Sequence, residues 1–195
     1  MRPVDRSEIL SIGEYETIRP RFRARVVEEK KARRVKAGEH VSAIFENRDT
    51  VLLQIQEMLR TERITAEPAI AHEIATYNEL LPGEGQLSLT VFIEIGDKPT
   101  RDRILVEWAG FEDSLGVEVD GVFFPATGPK PDGFMEGRTT AVHYVKATLS
   151  PEARKALIAG TAKAALVVRH PQVELRGEMG PATIRQLGQD LADVS

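Results

Sequence analysis

The sequence predicts an α+β protein, in which a helical N-terminal half packs on a mainly antiparallel β-sheet. Residues 1–84 carry helix-type periodicity and one short strand-like run. After Gly85 the segments alternate between apolar and polar residues and are β-rich, beginning with QLSLTVFIEI. The pair Asp120-Gly121 is typical of a hairpin turn. The resulting β-α-β-β-β-α-β order fits a ferredoxin-like core with an extra strand. We expect regions 1–84 and 85–195 to form one compact unit.

The N-terminal region is predicted to hold four helices around its one strand. Ser11 and Glu14 have the spacing of a capping box, which predicts a short helix over 12–18. Pro20 suits the first turn of a new helix that ends near Val35. The run HVSAIFEN is the predicted strand, and helices follow over 50–61 and 68–81 before the PGEG turn.

The C-terminal region alternates strands with helices. TRDRILVEWAGF is a predicted helix, LGVEVDGVFF a hairpin, RTTAVHYVKATL a strand and AALVVRH another strand. SPEARKALIAG and PATIRQLGQDLADV are the two predicted closing helices. Between strands lies a long Gly/Pro loop, GPKPDGFMEGR, and loops of this length are often functional or mobile. Its residues indicate no particular chemistry.

Composition excludes several classes of function. The chain of 195 residues has no cysteine, which excludes disulfides, thiol nucleophiles and cysteine-ligated metal sites within it. No run reaches the roughly 18 apolar residues of a membrane helix, and no apolar signal core opens the chain. P-loop, Gly-x-Ser-x-Gly and dinucleotide fingerprints are missing as well. We therefore expect a cytoplasmic protein without a membrane segment.

Charge is unevenly distributed, and the basic excess lies on one predicted helix. The net charge is −4, yet residues 19–36 hold nine Arg and Lys against two Glu. Four of these, Arg19, Arg21, Arg23 and Arg25, crowd a predicted helix start, where the helix dipole already favours negative charge. Three sources of compensating charge stay open. They are the acidic helices of the same chain, an acidic protein or phosphate-bearing ligand, and nucleic acid. Nucleic acid is disfavoured because the chain is acidic and only Phe22 could stack on a base.

A dense polar cluster, Glu46-Asn47-Arg48-Asp49, stands between the predicted strand and the helix over 50–61. Asp49 or Asn47 would supply a side-chain acceptor for the free N–H groups at the helix start. Arg48 is not explained by capping, and we expect it to pair with Glu46 or with a carboxylate of the helix over 68–81. The favoured interpretation of the cluster is a strand-to-helix elbow, and the alternative is a functional site.

Further chemistry candidates are a carboxylate–histidine set and two isolated histidines. Glu57, His72, Glu73 and Glu79 could form a metal site, but helical spacing scatters them over two faces. Tyr77 could instead pair with Glu73 at the border of the core. His143 is more readily explained as a strand histidine with satisfied hydrogen bonds than as a catalytic residue. His170 is more readily explained as a turn residue. The expected protein therefore holds no cofactor of its own.

Three long stretches carry a family resemblance: IRPRFRARV, ENRDTVLLQIQEMLR and HEIATYNELLPGEGQLSLTVFIEI. They resemble a bacterial domain-of-unknown-function family, number 3501, over most of residues 7–95. The resemblance implies no established activity. It does imply that such proteins are often encoded beside rubrerythrin-like di-iron proteins and iron–sulfur oxidoreductases. This association implies a setting in redox or peroxide metabolism. The leading hypothesis is an accessory or partner-binding protein, and the alternative is a metal-dependent enzyme that uses Glu57, His72, Glu73 and Glu79.

Overall fold

The centre of the protein is one antiparallel sheet of eight strands. The computed structural model describes residues 1–130 and 135–193. Every strand pairing is antiparallel, and the spatial order is β1-β2-β3-β6-β5-β4-β7-β8. The strands are β1 (Arg34–Ala37), β2 (Val41–Phe45), β3 (Gln86–Ile93), β4 (Leu115–Val119), β5 (Val122–Thr127), β6 (Val142–Thr148), β7 (Ala164–His170) and β8 (Val173–Glu178).

The two outer strands of this sheet come together, so the sheet is nearly closed into a barrel. A Cβ atom built on Gly177 of β8 would lie 2.1 Å from the carbonyl oxygen of Lys36 in β1. The backbones of the two strands therefore touch directly, at a place where only glycine fits. We call this contact the β1–β8 seam.

Six α-helices of the described residues surround or plug the barrel. They are α1 (Ile12–Arg33), α2 (Arg48–Thr61), α3 (Glu67–Asn78), α4 (Lys98–Glu107), α5 (Pro151–Ile158) and α6 (Pro181–Asp193). The barrel core continues into α4 through Leu105, and into α5 and α6 through Leu157 and Leu187. The Thr139 N–H, just before β6, donates to the Leu105 carbonyl, whereas α5 follows the end of β6. Hence α4 closes one end of the barrel, and α5 with α6 closes the other.

A second apolar cluster lies outside the barrel, where α2 and α3 cover the outer face of β2, β3 and β6. Its members include Val51 and Ile55 of α2, Ile70 and Ile74 of α3, and Val4 from the N-terminal segment. The uncovered part of this outer face borders the cleft described below.

The α+β class is confirmed, but the ferredoxin-like topology is wrong, because the eight strands form a barrel-like sheet. Two strands were not predicted. The first, β1, adds a hairpin to the N-terminal region, and the second, β8, follows the turn after His170. Since β1 and β2 pair into the same sheet as β3, the division at residue 84 runs through one sheet. Residues 131–134 of the predicted long loop lie outside the described residues.

The prediction of two separate helices over 12–18 and 20–35 is also wrong. A single helix, α1, continues from Ile12 to Arg33 with Pro20 inside it. Pro20 removes one backbone hydrogen bond, a loss that usually breaks a helix. Contacts with α2 on both sides of Pro20 hold the helix together, because Arg19 binds Glu57 before the proline and Arg25 binds Asp49 after it. Arg19 to Arg25 thus lie in the middle of a helix, and the helix-start argument does not apply to them.

Candidate functional site

Glu57 of α2 is the main acceptor for the first arginine of the basic stretch. The Arg19 side chain donates to both Glu57 oxygens, at 2.7 and 3.0 Å, and the Tyr15 hydroxyl donates to Oε1 at 2.7 Å. The Arg19 hydrogen bonds lower the pKa of Glu57 to about 2 against the cost of its partial burial. Burial and the neighbouring Glu57 carboxylate together raise the pKa of Tyr15. This trio fastens α1 to α2.

Of the other three arginines, Arg25 forms an ion pair, whereas Arg21 and Arg23 form none within the described residues. Arg25 donates to Asp49 at 2.5 Å, and its guanidinium lies 5.3 Å from the centre of the Phe22 ring. Arg21 and Arg23 are exposed and form no ion pair with any residue of 1–130 or 135–193. Of the four clustered arginines, α2 therefore supplies partners for Arg19 and Arg25 only.

The elbow between β2 and α2 is a buried polar network. Glu46 is 3% exposed and forms no ion pair within the described chain. Its carboxylate accepts hydrogen bonds from the hydroxyls of Thr90, at 2.6 Å, and Thr50, and from the Gln54 amide at 3.3 Å. Three neutral donors thus replace the water that a buried carboxylate loses.

The remaining elbow residues each have a separate partner. Asn47 is the N-cap: its Oδ1 accepts from the Thr50 N–H at 2.9 Å, and its Nδ2 donates to Glu29 at 2.6 Å. Asp49 lies in the first turn and pairs with Arg25. Arg48 pairs with Glu8, so the expected pairing with Glu46 or with α3 is wrong. The elbow is a structural junction of β2, α1, α2 and the N-terminal segment.

We expect the Glu57 carboxylate to give the protein part of its resistance to acid. Its pKa in the folded protein is about 2, below the usual 4.5, so the stabilisation is present above about pH 5 and is lost as pH falls towards 2. Glu57→Gln should lower the unfolding free energy by about 1–2 kcal/mol at pH 7, less than the full shift implies because the side chain is partly solvated. Denaturant titrations between pH 7 and 3 should show this deficit shrinking.

The matched control for this prediction is Glu28→Gln, at a carboxylate whose pair with Lys31 is exposed on both sides. Exposed pairs of this kind contribute little, so its effect should stay below about 0.5 kcal/mol. A Glu57→Gln deficit that stays constant from pH 7 to pH 3 would contradict the proposed role of the ionised carboxylate.

The four residues of the metal alternative do not converge. Glu57 is bound to Arg19 on the α1 side of α2, and His72 is exposed on α3. Glu73 and Glu79 instead line a cleft on another side of α3. Within the described residues no three His, Asp or Glu side chains are close enough to hold a metal ion.

A cleft of about 1020 Å³ lies between α3 and the outer face of β6. One wall is formed by α3 and the turn after it, with Glu73, Tyr77, Glu79 and Leu80. Strand β6 provides Tyr144, with further lining from Val142, Lys146, Ser88 of β3 and the segment Thr127–Lys130. Ser88 lies opposite Lys146, and Thr90 opposite Tyr144, in the β3–β6 register. Thr90 in turn binds Glu46, so the elbow network reaches the floor of the cleft.

Burial is the main cause of the pKa shifts of three side chains in this cleft. Burial raises the pKa of Tyr77, with a further contribution from Glu73, and raises the pKa of Tyr144, with a further contribution from Glu46. Burial lowers the pKa of Lys146, whose ammonium donates to the Leu81 carbonyl at 2.8 Å.

Both histidine candidates of the strands are buried. His143 faces the barrel interior at the α4 end, where its Nε2 lies 2.8 Å from the Thr140 carbonyl and its Nδ1 has no partner within the described chain. Burial lowers the pKa of His143, which favours the neutral ring. His170 accepts from the Gln172 N–H and contacts the Ala109 carbonyl. Neither ring lines the cleft.

Tyr144, Lys146 and Ser88 were not singled out from the sequence. The signal available was the alternation in VHYVKAT, which places Tyr144 and Lys146 on the same face of a strand. Alternation alone does not say which helix borders that face, so the cleft emerges only from the tertiary packing of α3 against β6.

The fold and cleft together define a helix-flanked antiparallel barrel with a ligand-sized groove on its outer face. The chain belongs to the DUF3501 family, described as a protein of unknown function, whose model matches residues 3–191. A crystal structure of a protein of unknown function from Burkholderia pseudomallei K96243 is similar throughout. It has 29% identity and a TM-score of 0.88, and the match covers 97% of this chain and 100% of that one. No curated protein matches the chain. Among the described helices, none has the length and apolarity needed to cross a membrane.

Proposed function

We propose that this protein is a cytoplasmic accessory protein that binds an acidic partner protein through the exposed side of α1. The observation that carries the proposal is the division of its four clustered arginines. Arg19 and Arg25 are neutralised by α2, whereas Arg21 and Arg23 are exposed and form no ion pair with the described residues. A setting in redox or peroxide metabolism, which the family resemblance implies, remains part of the proposal.

The surroundings of the two free arginines favour a protein over a phosphate-bearing ligand. Residues two apart on a helix point about 200° from each other, so Arg21 and Arg23 do not converge on one small anion. Each lies one helical turn from an exposed apolar side chain, Arg21 from Ile18, which is 43% exposed, and Arg23 from Val27, which is 41% exposed. Arginine beside apolar side chains is typical of protein interfaces. Nucleic acid fits less well, because the chain has a net charge of −4.

The proposal is tested by affinity capture of the tagged protein from its own host, followed by reconstitution with the purified partner. The double variant Arg21→Glu, Arg23→Glu should bind an acidic partner at least about tenfold more weakly than the wild type does, because attraction becomes repulsion. Its unfolding midpoint should stay close to that of the wild type, since neither arginine has an internal partner. Binding of the purified pair should also weaken as salt rises.

A matched control makes the same charge change elsewhere on the surface. Lys155→Glu with Arg185→Glu alters two exposed cations of α5 and α6 and should leave the partner bound. The proposal fails if no captured protein distinguishes the α1 variant from the wild type, or if the control variant loses the same partner to the same extent.

A further inference from the structure

The cleft between α3 and β6 carries an inference that is independent of the α1 surface. We propose that it is a binding site for a small organic cation, an ammonium group with an apolar body, which lies between Tyr77 and Tyr144. The two rings come from opposite sides of the cleft and make no ring contact with each other. Their phenols are close enough to act on each other, so a single ligand in the cleft can contact both rings.

The tyrosines suit a cation because their ring faces carry negative electrostatic potential. Tyr144 is 41% exposed, on the outward face of a strand whose inward residues are buried. Neither phenolic hydroxyl forms a hydrogen bond with another residue of the described chain, so both can also interact with a ligand. Tyrosine at such a place combines a broad apolar surface with a polar tip.

The charges around the rings favour the same occupant. Glu73 and Glu79 line the α3 wall and form no ion pair with a described residue. Glu46 lies behind Tyr144, close enough to act on its phenol. Lys146 is bound to the Leu81 carbonyl and lies near Glu79, which offsets its charge. Lys130 also lines the cleft, so its two lysines equal the two carboxylates of the α3 wall in number. The charges that act on the tyrosines themselves are negative, Glu73 on Tyr77 and Glu46 on Tyr144.

Ser88 supplies a hydroxyl group at the floor of the cleft. Its side chain lines the floor, the residue is 3% exposed, and its hydroxyl has no hydrogen-bond partner within residues 1–130 and 135–193. The hydroxyl is open to the cleft, so it can form a hydrogen bond with a polar group of a ligand there. Leu80, Val142 and Pro129 supply an apolar lining for the rest of the ligand. The volume is near the upper end for small-molecule sites.

The test compares benzyltrimethylammonium with benzyl alcohol, a neutral compound of similar shape around the ring. Titration of the full chain should show saturable binding of the cation. The binding is measured by calorimetry and by the NMR signals of the tyrosine rings. The alcohol should bind at least about threefold more weakly, because it gains nothing from the negative field. Tyr77→Leu and Tyr144→Leu should each weaken the cation by about two- to thirtyfold, which is the range of one cation–π contact.

Conservative variants keep the test informative if a leucine variant folds poorly. Tyr144→Phe retains the ring and should keep most of the affinity, whereas Glu73→Gln should reduce affinity for the cation and leave the alcohol unchanged. Glu39→Gln, at an exposed carboxylate away from the cleft, is the matched control and should have no effect. The proposal is overturned if the cation does not bind at millimolar concentration, if the alcohol binds equally well, or if Glu73→Gln and Glu39→Gln behave alike. Because none of these residues belongs to the α1 surface, the outcome does not depend on the proposed partner.

Discussion

Asp190→Ala is expected to lower the unfolding free energy of the protein by about 3–5 kcal/mol. Asp190 of α6 accepts two hydrogen bonds from Arg33, at 2.5 and 2.9 Å, and the Arg33 side chain is 0% exposed. Removal of the carboxylate leaves a buried guanidinium with Glu29 as its remaining partner, at 2.9 Å. Burial of an underpaired charge is the reason for so large a loss. Urea denaturation monitored by circular dichroism measures it.

Two companion variants separate charge pairing from packing. Arg33→Met with Asp190→Leu removes both charges together and should recover most of the lost stability, because the buried guanidinium is gone and Glu29 keeps its hydrogen bond from Asn47. Glu107→Ala removes an exposed partner of Arg103 and should cost less than about 0.5 kcal/mol. If Asp190→Ala unfolds at nearly the wild-type urea concentration, the pair does not join α6 to α1 as described.

Gly188→Ala is expected to destabilise the protein by about 2–3 kcal/mol, against the usual effect of this substitution within a helix. Alanine normally favours a helix over glycine by about 1 kcal/mol. Here a Cβ atom on Gly188 would lie 2.4 Å from the carbonyl oxygen of Leu157, so α5 and α6 would have to move apart. Overpacking of this kind costs more than the helix propensity returns. Thermal and urea unfolding of the variant measure the difference.

Gly13→Ala is the control for this prediction. Gly13 also lies within a helix, α1, but nothing stands within 4 Å of its added methyl group. That variant should be unchanged or stabilised by up to about 1 kcal/mol. Equal effects of the two substitutions would mean that α5 and α6 are not packed at Gly188 as closely as the structure has them.

The sequence predicted the elements better than their arrangement. Alternation and turn residues located β3 and the hairpin of β4 and β5, because these signals are local. The strand β8 was missed because VELRGE carries three charges and a glycine, and its outward side remains in solvent. Without β8, and without the short β1, the closure into a barrel could not be inferred. The break predicted at Pro20 was wrong because contacts with α2 before and after it, from Arg19 to Glu57 and from Arg25 to Asp49, outweigh its local preference.

For the candidate sites, too, the sequence predicted features that depend on local contacts and missed those that depend on distant ones. The N-cap role of Asn47 was predictable because it depends on residues within one turn. The partner of Arg48 was not, since Glu8 lies far away along the chain. The deep burial of Glu46 depends on Thr90 of β3, so no sequence window reveals it. The cleft likewise requires α3 and β6 to be neighbours in space.

The β1–β8 seam has a consequence for the behaviour of the protein at high concentration. The outer strands of an open sheet present unpaired backbone groups, which recruit strands of other molecules and start aggregation. Here β1 and β8 stand against each other, with Gly177 of one in contact with the Lys36 carbonyl of the other. Each outer strand thus blocks the other from edge-to-edge association. A side chain at position 177 would separate β1 from β8 and expose the unpaired backbone groups of both outer strands at once.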